Sequence, residues 1–141
     1  NLMEKLELPT EQGWGASHRG STLWFSDGSS QLYSADLEKG QPLRLVKVTL
    51  RGKDIRNLNE LEWVDDEIWA NLWQTDDIAR IDPISGTVLG IIHLNGILPK
   101  GDKLQNTDVL NGIARDPVTG AIWITGKRWP WLYQIELENK F

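Results

Sequence analysis

Three features of the sequence predict an all-β fold, a β-propeller of four-stranded antiparallel blades. A β-like segment with a central tryptophan recurs at Trp24, Trp69 and Trp123, at spacings of 45 and 54 residues. Each copy is followed by a further β-like run, and short turns rich in glycine and polar residues separate the runs. Helical periodicity is almost absent. A four-stranded unit that recurs every ~40–50 residues is typical of a propeller blade.

The strands of each unit follow in a fixed order. A first extended segment begins near Trp14, Leu58 or Leu110, and a polar turn separates it from the tryptophan strand. The third strands are predicted over residues 31–36, 78–82 and 131–135, and fourth strands over residues 43–48 and 87–92. An ordinary antiparallel sandwich has similar strand spacing and stays open as an alternative.

The repeat divides the chain into an outer strand of a preceding blade, two blades, a polar loop insertion and a third blade: residues 1–12, 13–50, 57–94, 95–107 and 108–141. The outer strand is predicted between Met3 and Leu8. Propellers close with ~4–8 blades, and an unclosed ring would leave unpaired edges. We therefore expect the chain to be part of a longer protein that supplies the missing amino-terminal blades.

Composition excludes several classes of function. The 141 residues carry a net charge of −5, which argues against a nucleic acid or an anionic membrane as the main partner. No apolar stretch is long enough to span a membrane. The absence of cysteine rules out disulfides, thiolate metal sites and a cysteine nucleophile, and the two histidines lack neighbouring ligand residues. No metal site and no cofactor are predicted.

Aligning the three units predicts a site at one end of the propeller. Trp14, Asn59 and Asn111 occupy equivalent places upstream of the repeated tryptophans, and Trp73 and Lys127 occupy equivalent places downstream. In an antiparallel hairpin the start of the first strand lies beside the end of the second, so these five side chains are expected to gather. Flat rings and polar groups at a propeller mouth indicate a small pocket.

Each of these residues also has a purely structural interpretation. Trp14 and Trp73 could pack between blades, Asn59 and Asn111 could cap turns, and Lys127 could be a solvated lysine.

Two acidic residues on a predicted inner strand admit two interpretations. Glu60 and Glu62 could act as paired acids, but salt bridges between blades, with Arg56 or Arg80, are the favoured interpretation.

Five sequence strings carry a family resemblance. They are Gly-Trp-Gly at 13–15, Leu-Asn-Glu-Leu-Glu-Trp at 58–63, Trp-Ala-Asn-Leu-Trp-Gln-Thr-Asp at 69–76, Asp-Val-Leu-Asn-Gly-Ile-Ala at 108–114 and Thr-Gly-Lys-Arg-Trp-Pro at 125–130. Together they resemble the plant and bacterial type of glutaminyl-peptide cyclotransferase, a five-bladed propeller unlike the zinc-dependent animal type. The resemblance extends from about Gly13 to Leu137, so the chain would supply about three of five blades.

The resemblance also implies roles for the candidate residues. Trp14 and Trp73 match pocket tryptophans of the family and are expected to bind substrate. Asn59 matches its substrate-binding asparagine, and Lys127 matches its active-site lysine. We expect both Asn59 and Lys127 to act in catalysis. Asn111 lies in a family-like string and is expected to support substrate binding. Two strings of the family, Phe-Thr-Gln-Gly-Leu and Phe-Gly-Glu-Gly-Leu, do not occur in this chain. The second contains the glutamate thought to be the general acid/base, so the chain alone is expected to be inactive.

The implied reaction converts an amino-terminal glutamine of a peptide or protein into pyroglutamate and releases ammonia, without a metal. A periplasmic, secreted or endomembrane location is favoured by the resemblance only. Two alternatives remain at this stage. One is a non-catalytic propeller that grips a peptide end or small ligand at a tryptophan-lined mouth. The other is a propeller hydrolase or lactonase, which would need metal-binding carboxylates around its channel.

Overall fold

A computed structural model describes residue 5 and residues 7–38 and 44–138 of the chain. These parts form thirteen β-strands and one short 3₁₀ helix. Every strand pair within the sheets is antiparallel. None of the described residues belongs to a helix that is long and apolar enough to cross a membrane.

The first sheet contains four strands that follow one another in space as they do in sequence. They are β1 (Gly15–Arg19), β2 (Thr22–Ser26), β3 (Gln31–Asp36) and β4 (Arg44–Lys47). The register pairs Ser17 with Trp24, so the repeated tryptophan lies in the second strand.

A small hairpin connects the first sheet to the second. It consists of β5 (Thr49–Leu50) and β6 (Lys53–Asp54). Thr49 also forms a parallel bridge to Thr87, which ties the hairpin to the second sheet. The repeat pattern did not predict this hairpin, because two-residue strands are too short to show alternation.

The second sheet again has four strands in sequential order. They are β7 (Leu58–Val64), β8 (Glu67–Leu72), β9 (Asp77–Ile81) and β10 (Val88–His93). Pairing between β7 and β8 is interrupted by an irregularity between Leu58 and Leu61, and Glu62 pairs with Trp69.

The third sheet has three strands in the described part of the chain. After the short 3₁₀ helix (Lys100–Asp102) come β11 (Leu110–Arg115), β12 (Ile122–Gly126) and β13 (Tyr133–Ile135). A fourth strand is not present among the described residues of this sheet. Of the predicted leading strand over 3–8, residues 3, 4 and 6 lie outside the described residues, and Lys5, Glu7 and Leu8 do not belong to a strand.

The sheets pack face to face through two apolar clusters. The interface between the first and second sheets, called here the first interface, buries Trp24, Leu61 and Ile68 among others. The interface between the second and third sheets, the second interface, buries Val64, Trp69 and Ile113. Two four-stranded antiparallel sheets and a third with three described strands, packed in this way, confirm the predicted all-β propeller class. The arrangement is open, as expected for part of a propeller.

Candidate active site

Backbone hydrogen bonds between strand ends mark one end of all three sheets. The N–H of Trp14 donates to the carbonyl of Ser26 (2.9 Å), that of Trp73 to Asn57 (2.9 Å) and that of Lys127 to Val109 (2.9 Å). Each bond joins the segment that enters a first strand to the segment that leaves a second strand. The repeat alignment predicted this juxtaposition. Trp73 and Lys127 are equivalent positions that donate from the segment after the second strand, whereas Trp14 donates from the segment before the first strand.

Two of the candidate tryptophans are in direct contact across the first interface. The ring centroids of Trp14 and Trp73 are 5.2 Å apart, with an interplanar angle of 79°. Edge-to-face packing of this kind is a favoured arrangement for aromatic rings. The Trp14 indole N–H donates to Gln12 Oε1 (2.8 Å), and both rings keep partial exposure. The chain thus forms a partly open aromatic corner from residues far apart in sequence.

A glycine makes room for the Trp14 ring. A Cβ at Gly28 would lie 2.6–2.7 Å from three ring atoms, and the backbone there has φ +82°. Both the ring and the left-handed backbone therefore require glycine. Gly28 occupies the same place in the repeat as Trp73 and Lys127. Its missing side chain leaves the space that Trp14 fills.

Asn59 lies beside this corner at the start of the second sheet. It is 5% exposed, and its carbonyl accepts a hydrogen bond from the Ser26 hydroxyl (2.6 Å). The same hydroxyl accepts from the Gly15 N–H (3.0 Å). A shared hydroxyl therefore fixes the Asn59 backbone against the first sheet. The Asn59 side-chain amide makes no hydrogen bond within the described residues.

Asn111 and Lys127 lie on the third sheet at the same strand ends. Asn111 is half-buried, and its Oδ1 has no partner among the described residues. Lys127 is exposed, and it forms no ion pair with any described side chain. The contact of Trp14 with Trp73 is thus found, while a contact of Lys127 with the aromatic corner stays a prediction.

The two glutamates of β7 do not form the expected salt bridges. Glu60 Oε2 accepts from the Ile113 N–H (2.9 Å), and Glu62 Oε1 accepts from the Arg115 N–H (2.8 Å). Arg80 instead makes a two-point contact with Glu67, at 2.6 and 2.8 Å. The favoured interpretation was wrong because β11 offers N–H groups at the second interface, and an unpaired N–H there needs an acceptor.

Burial changes the proton affinity of Glu60. Loss of water around the carboxyl raises the pKa of Glu60 to about 8, the Ile113 N–H acts in the opposite direction, and the charge of Glu62 raises it further. A carboxyl with such a pKa is largely protonated at neutral pH. Glu60 directly follows Asn59 in sequence, and its carboxyl lies in the second interface against β11.

Asn71 is a site-supporting residue that the sequence comparison within the chain did not single out. It is fully buried, and its Oδ1 accepts from the Gly112 N–H (2.9 Å). The bond holds the residue that follows Asn111. The available signal was a polar residue in the middle of a strand whose neighbours Ala70 and Trp69 are apolar, since a buried amide needs a partner.

Metal ligands are not clustered in the described parts of the chain. Among those residues no group of three or more histidine, aspartate or glutamate side chains is placed to hold an ion. The geometry instead presents aromatic rings, amides and one lysine at adjoining strand ends. These features define an arc of a β-propeller with a partly open aromatic corner at one end.

Comparison with known proteins identifies the family. The glutamine cyclotransferase family profile matches residues 1–137. The chain is 44% identical, over 133 residues, to a glutaminyl-peptide cyclotransferase of Arabidopsis thaliana. The matched region covers 92% of this chain and 41% of the Arabidopsis protein. The crystal structure of Myxococcus xanthus glutaminyl cyclase is similar with a TM-score of 0.82 and 36% identity, over 94% of this chain and 58% of that one.

A more distant likeness concerns the fold alone. Virginiamycin B lyase of Staphylococcus aureus is similar with a TM-score of 0.51 and 20% identity, over 92% of this chain and 42% of that one.

The family profile and the Arabidopsis relative show that the chain belongs to the glutamine cyclotransferase family. It spans about two-fifths of the length of the Arabidopsis protein and somewhat over half of the Myxococcus chain.

Proposed function

We propose that the complete protein containing this chain is a glutaminyl-peptide cyclotransferase that converts an amino-terminal glutamine into pyroglutamate. The single observation that carries the proposal is the Trp14–Trp73 corner, built by two sheets in a chain of the glutamine cyclotransferase family. The named relatives from Arabidopsis and Myxococcus support the same activity. The substrates are peptides or proteins that begin with glutamine.

The reaction is an intramolecular aminolysis. The α-amine attacks the side-chain amide carbon, a new C–N bond closes the five-membered ring, and the former amide nitrogen leaves as ammonia. An α-amine has a pKa of about 7.7–8.0, so a fraction of it is neutral near pH 7. The proton lost by the attacking amine is transferred to the leaving nitrogen, which balances the step without an external reactant.

Geometry is the larger obstacle to ring closure. The glutamine must be held in a curled conformation with its reacting atoms about 3–3.5 Å apart, and a correctly held pair lowers the barrier by several kcal/mol. Rigid rings meeting nearly at a right angle suit this task, so Trp14 and Trp73 are assigned to binding. Asn111, at the start of β11, is assigned to support of the bound peptide.

Charge develops on the amide oxygen as the amine attacks. A donor aimed at that oxygen stabilises the tetrahedral intermediate. We assign this role to the Lys127 ammonium group, and the Asn59 amide is assigned to the same oxygen or to the substrate amine. No metal and no cofactor has a part in this scheme.

A carboxyl group is needed to carry the proton between the two nitrogens. In the family this group belongs to the Phe-Gly-Glu-Gly-Leu string, which this chain does not contain. We therefore expect the 141 residues alone to be inactive, and the preceding blades to complete the site. Turnover by the isolated chain would instead assign proton transfer to a local acid such as Glu60 or Glu62.

The direct test is cyclisation of a glutaminyl peptide by the complete protein, measured as ammonia release and pyroglutamate formation. Replacing Lys127→Ala is expected to reduce kcat by about 10²–10³-fold, as for loss of one oxyanion donor. The control is Lys53→Ala, since Lys53 is an exposed lysine of β6. Near-wild-type turnover of the Lys127 variant would remove Lys127 from the mechanism.

The tryptophan corner has its own test. Trp73→Ala is expected to raise KM by at least tenfold, and Trp73→Phe to restore part of the affinity, because binding depends on the flat ring. An unchanged KM would return Trp73 to a packing role. Peptide binding without any ammonia release by the wild-type protein would favour a non-catalytic binding propeller.

A further inference from the structure

A cavity of about 320 Å³ lies beneath the loop that joins the second and third sheets. We call it the loop cavity. The loop covers residues 94–109, and it contains the insertion over 95–107 that lengthens the third repeat. The volume of the loop cavity is near the lower end of the range for known ligand sites, and it is large enough for one large side chain. The aromatic corner described above does not include it.

The loop itself is held by its own hydrogen bonds. The Ile97 N–H donates to the Leu94 carbonyl (3.0 Å), and the Thr107 N–H donates to the Leu104 carbonyl (3.0 Å). The Thr107 hydroxyl accepts from the Leu104 N–H (2.7 Å). Such local bonds give the insertion a defined shape, and the cavity beneath it is therefore a built feature.

Two walls of the loop cavity are tied to the segments that carry candidate site residues. The Asp108 N–H donates to the Lys127 carbonyl (3.0 Å), and the Leu94 N–H donates to the carbonyl of Asp76 (2.8 Å), three residues after Trp73. The Trp129 indole N–H donates to the Asp108 carbonyl (2.8 Å). The cavity thus lies between the strand ends that present Trp73 and Lys127.

The lining of the loop cavity combines an apolar interior with charges of both signs. Leu94, Ile97 and Trp129 contribute carbon surface, together with the buried Leu98. The charged groups of the lining are Lys100, Lys103, Asp76 and Asp108. None of these four forms an ion pair within the described parts of the chain. Cations and carboxylates together suit a peptide backbone, because carbonyls accept from ammonium groups and N–H groups donate to carboxylates.

The geometry points to the loop cavity as the subsite for the residue that follows the cyclising glutamine, with preference for a large apolar or aromatic side chain. This inference rests on the function proposed above. A glutamine held between Trp73 and Lys127 has its carbonyl end free to continue along the chain. The next side chain enters the cavity while the backbone crosses the charged groups at its rim.

The test compares two substrates of the complete protein, glutaminyl-phenylalanine amide and glutaminyl-glycine amide. We expect kcat/KM to favour the phenylalanine substrate by about tenfold, the size of effect that an apolar pocket gives. Replacing Ile97→Trp fills the cavity and is expected to bring this ratio close to one. The matched control is Ile84→Trp, because Ile84 is 75% exposed in the β9–β10 turn, and this variant keeps the ratio of the wild-type protein.

Equal kcat/KM for both substrates in the wild-type protein would overturn the subsite, and so would an Ile97→Trp variant that keeps the tenfold ratio. A second, smaller change, Ile97→Ala, is expected to lower the ratio about threefold by removing part of the apolar wall. It keeps the inference testable if the larger variant does not fold.

The outcome for the subsite can be separated from the outcome for the proposed function. If neither substrate releases ammonia, the proposed function fails. Binding then decides the subsite, measured calorimetrically with pyroglutamyl-phenylalanine amide and pyroglutamyl-glycine amide. About tenfold tighter binding of the phenylalanine compound, lost in Ile97→Trp, supports the subsite, and equal binding of the two compounds overturns it.

Discussion

The two interfaces between sheets hold neighbouring strands together with different polar contacts. In the first interface the backbones of β1 and β7 approach closely, because Gly15 has no side chain and the Ser26 hydroxyl bridges Gly15 to the Asn59 carbonyl. In the second interface side chains of β7 and β8 reach across to β11, and Glu60 and Asn71 accept its N–H groups. Close backbone contact leaves no room for a carboxyl between β1 and β7, whereas the second interface contains the Glu60 carboxyl, whose pKa is raised by burial.

The repeat explains where this difference arises. Gly15 in β1 and Gly112 in β11 occupy the place in the repeat that Glu60 has in the second sheet. Ser17 and Ala114 pair with their tryptophans as Glu62 pairs with Trp69. Only the middle sheet has carboxyls at both places. A propeller sequence can therefore keep its strand pattern while each interface uses its own polar contacts.

The largest expected effect is the loss of close approach in the first interface. A Cβ at Gly15 would lie 2.7 Å from the Cα of Glu60, against backbone that cannot rotate away. Replacing Gly15→Ala is expected to destabilise the protein by roughly 3 kcal/mol, the range for overpacking. Urea unfolding of the complete protein measures this change.

Gly101→Ala is the control for the Gly15 variant. A Cβ at Gly101 meets nothing within 4 Å, so the same chemical change is expected to leave stability within about 0.5 kcal/mol of wild type. Equal stability of the two variants would show that the sheets can separate slightly at no cost, and the contrast between the interfaces would disappear.

The next effect concerns the amide that serves the second interface. Asn71→Ala leaves the Gly112 N–H without its acceptor in a buried place, and we expect a loss of roughly 2–3 kcal/mol. Because Gly112 follows Asn111, we also expect a higher KM for the glutaminyl peptide. The control is Asn106→Ala, at an exposed loop position that does not line the loop cavity. A loss below about 0.5 kcal/mol, the usual range for surface substitutions, would mean that water replaces the amide.

A pH-dependent effect separates the interfaces most clearly. The pKa of Glu60 is raised from 4.5 to about 8, chiefly by burial, so the folded state holds a proton that the unfolded chain has lost between these values. The stability contributed by the protonated carboxyl is present below pH 4.5 and is lost as the pH rises to about 8. Glu60→Gln removes this dependence and is expected to exceed wild type by on the order of 1–2 kcal/mol at pH 9.

The measurement is the melting temperature of both proteins from pH 4 to pH 9. The two melting temperatures are expected to agree at pH 4. Above pH 4.5 the melting temperature of wild type is expected to fall below that of the variant, and the gap widens as the pH rises. Glu11→Gln is the control, because this substitution removes the same charge at an exposed position. Parallel curves for wild type and Glu60→Gln would show that Glu60 does not titrate differently in the fold.

These contrasts bear on what the sequence predicts. The tryptophan repeat predicted the sheets, their order and the strand ends at which Trp14 meets Trp73, because the repeat period and antiparallel pairing follow from local pattern. The partners of Glu60 and Asn71 were not predictable in this way. They bond to backbone more than 40 residues away, and a backbone N–H leaves no mark in the residue type that carries it.

The smallest expected effects come from two ion pairs, one at each interface. Arg19 pairs with Asp66 (2.8 Å) across the first interface and Arg115 with Asp65 (3.0 Å) across the second. Both pairs are solvent-exposed, so Arg115→Met is expected to cost less than 1 kcal/mol. Arg19 also lies 5.0 Å from the centroid of the Trp63 ring, and Arg19→Met is expected to cost about 0.5 kcal/mol more than the Arg115 variant.

High salt distinguishes the two contributions of Arg19. Screening weakens an exposed ion pair more than a contact of the guanidinium with an aromatic face. The difference in melting temperature between Arg19→Met and wild type is therefore expected to persist in 1 M NaCl, while that of Arg115→Met vanishes. Equal salt sensitivity of the two variants would show that the Trp63 contact adds nothing. The interfaces would then differ only in their buried polar groups, Ser26 on one side and Glu60 with Asn71 on the other.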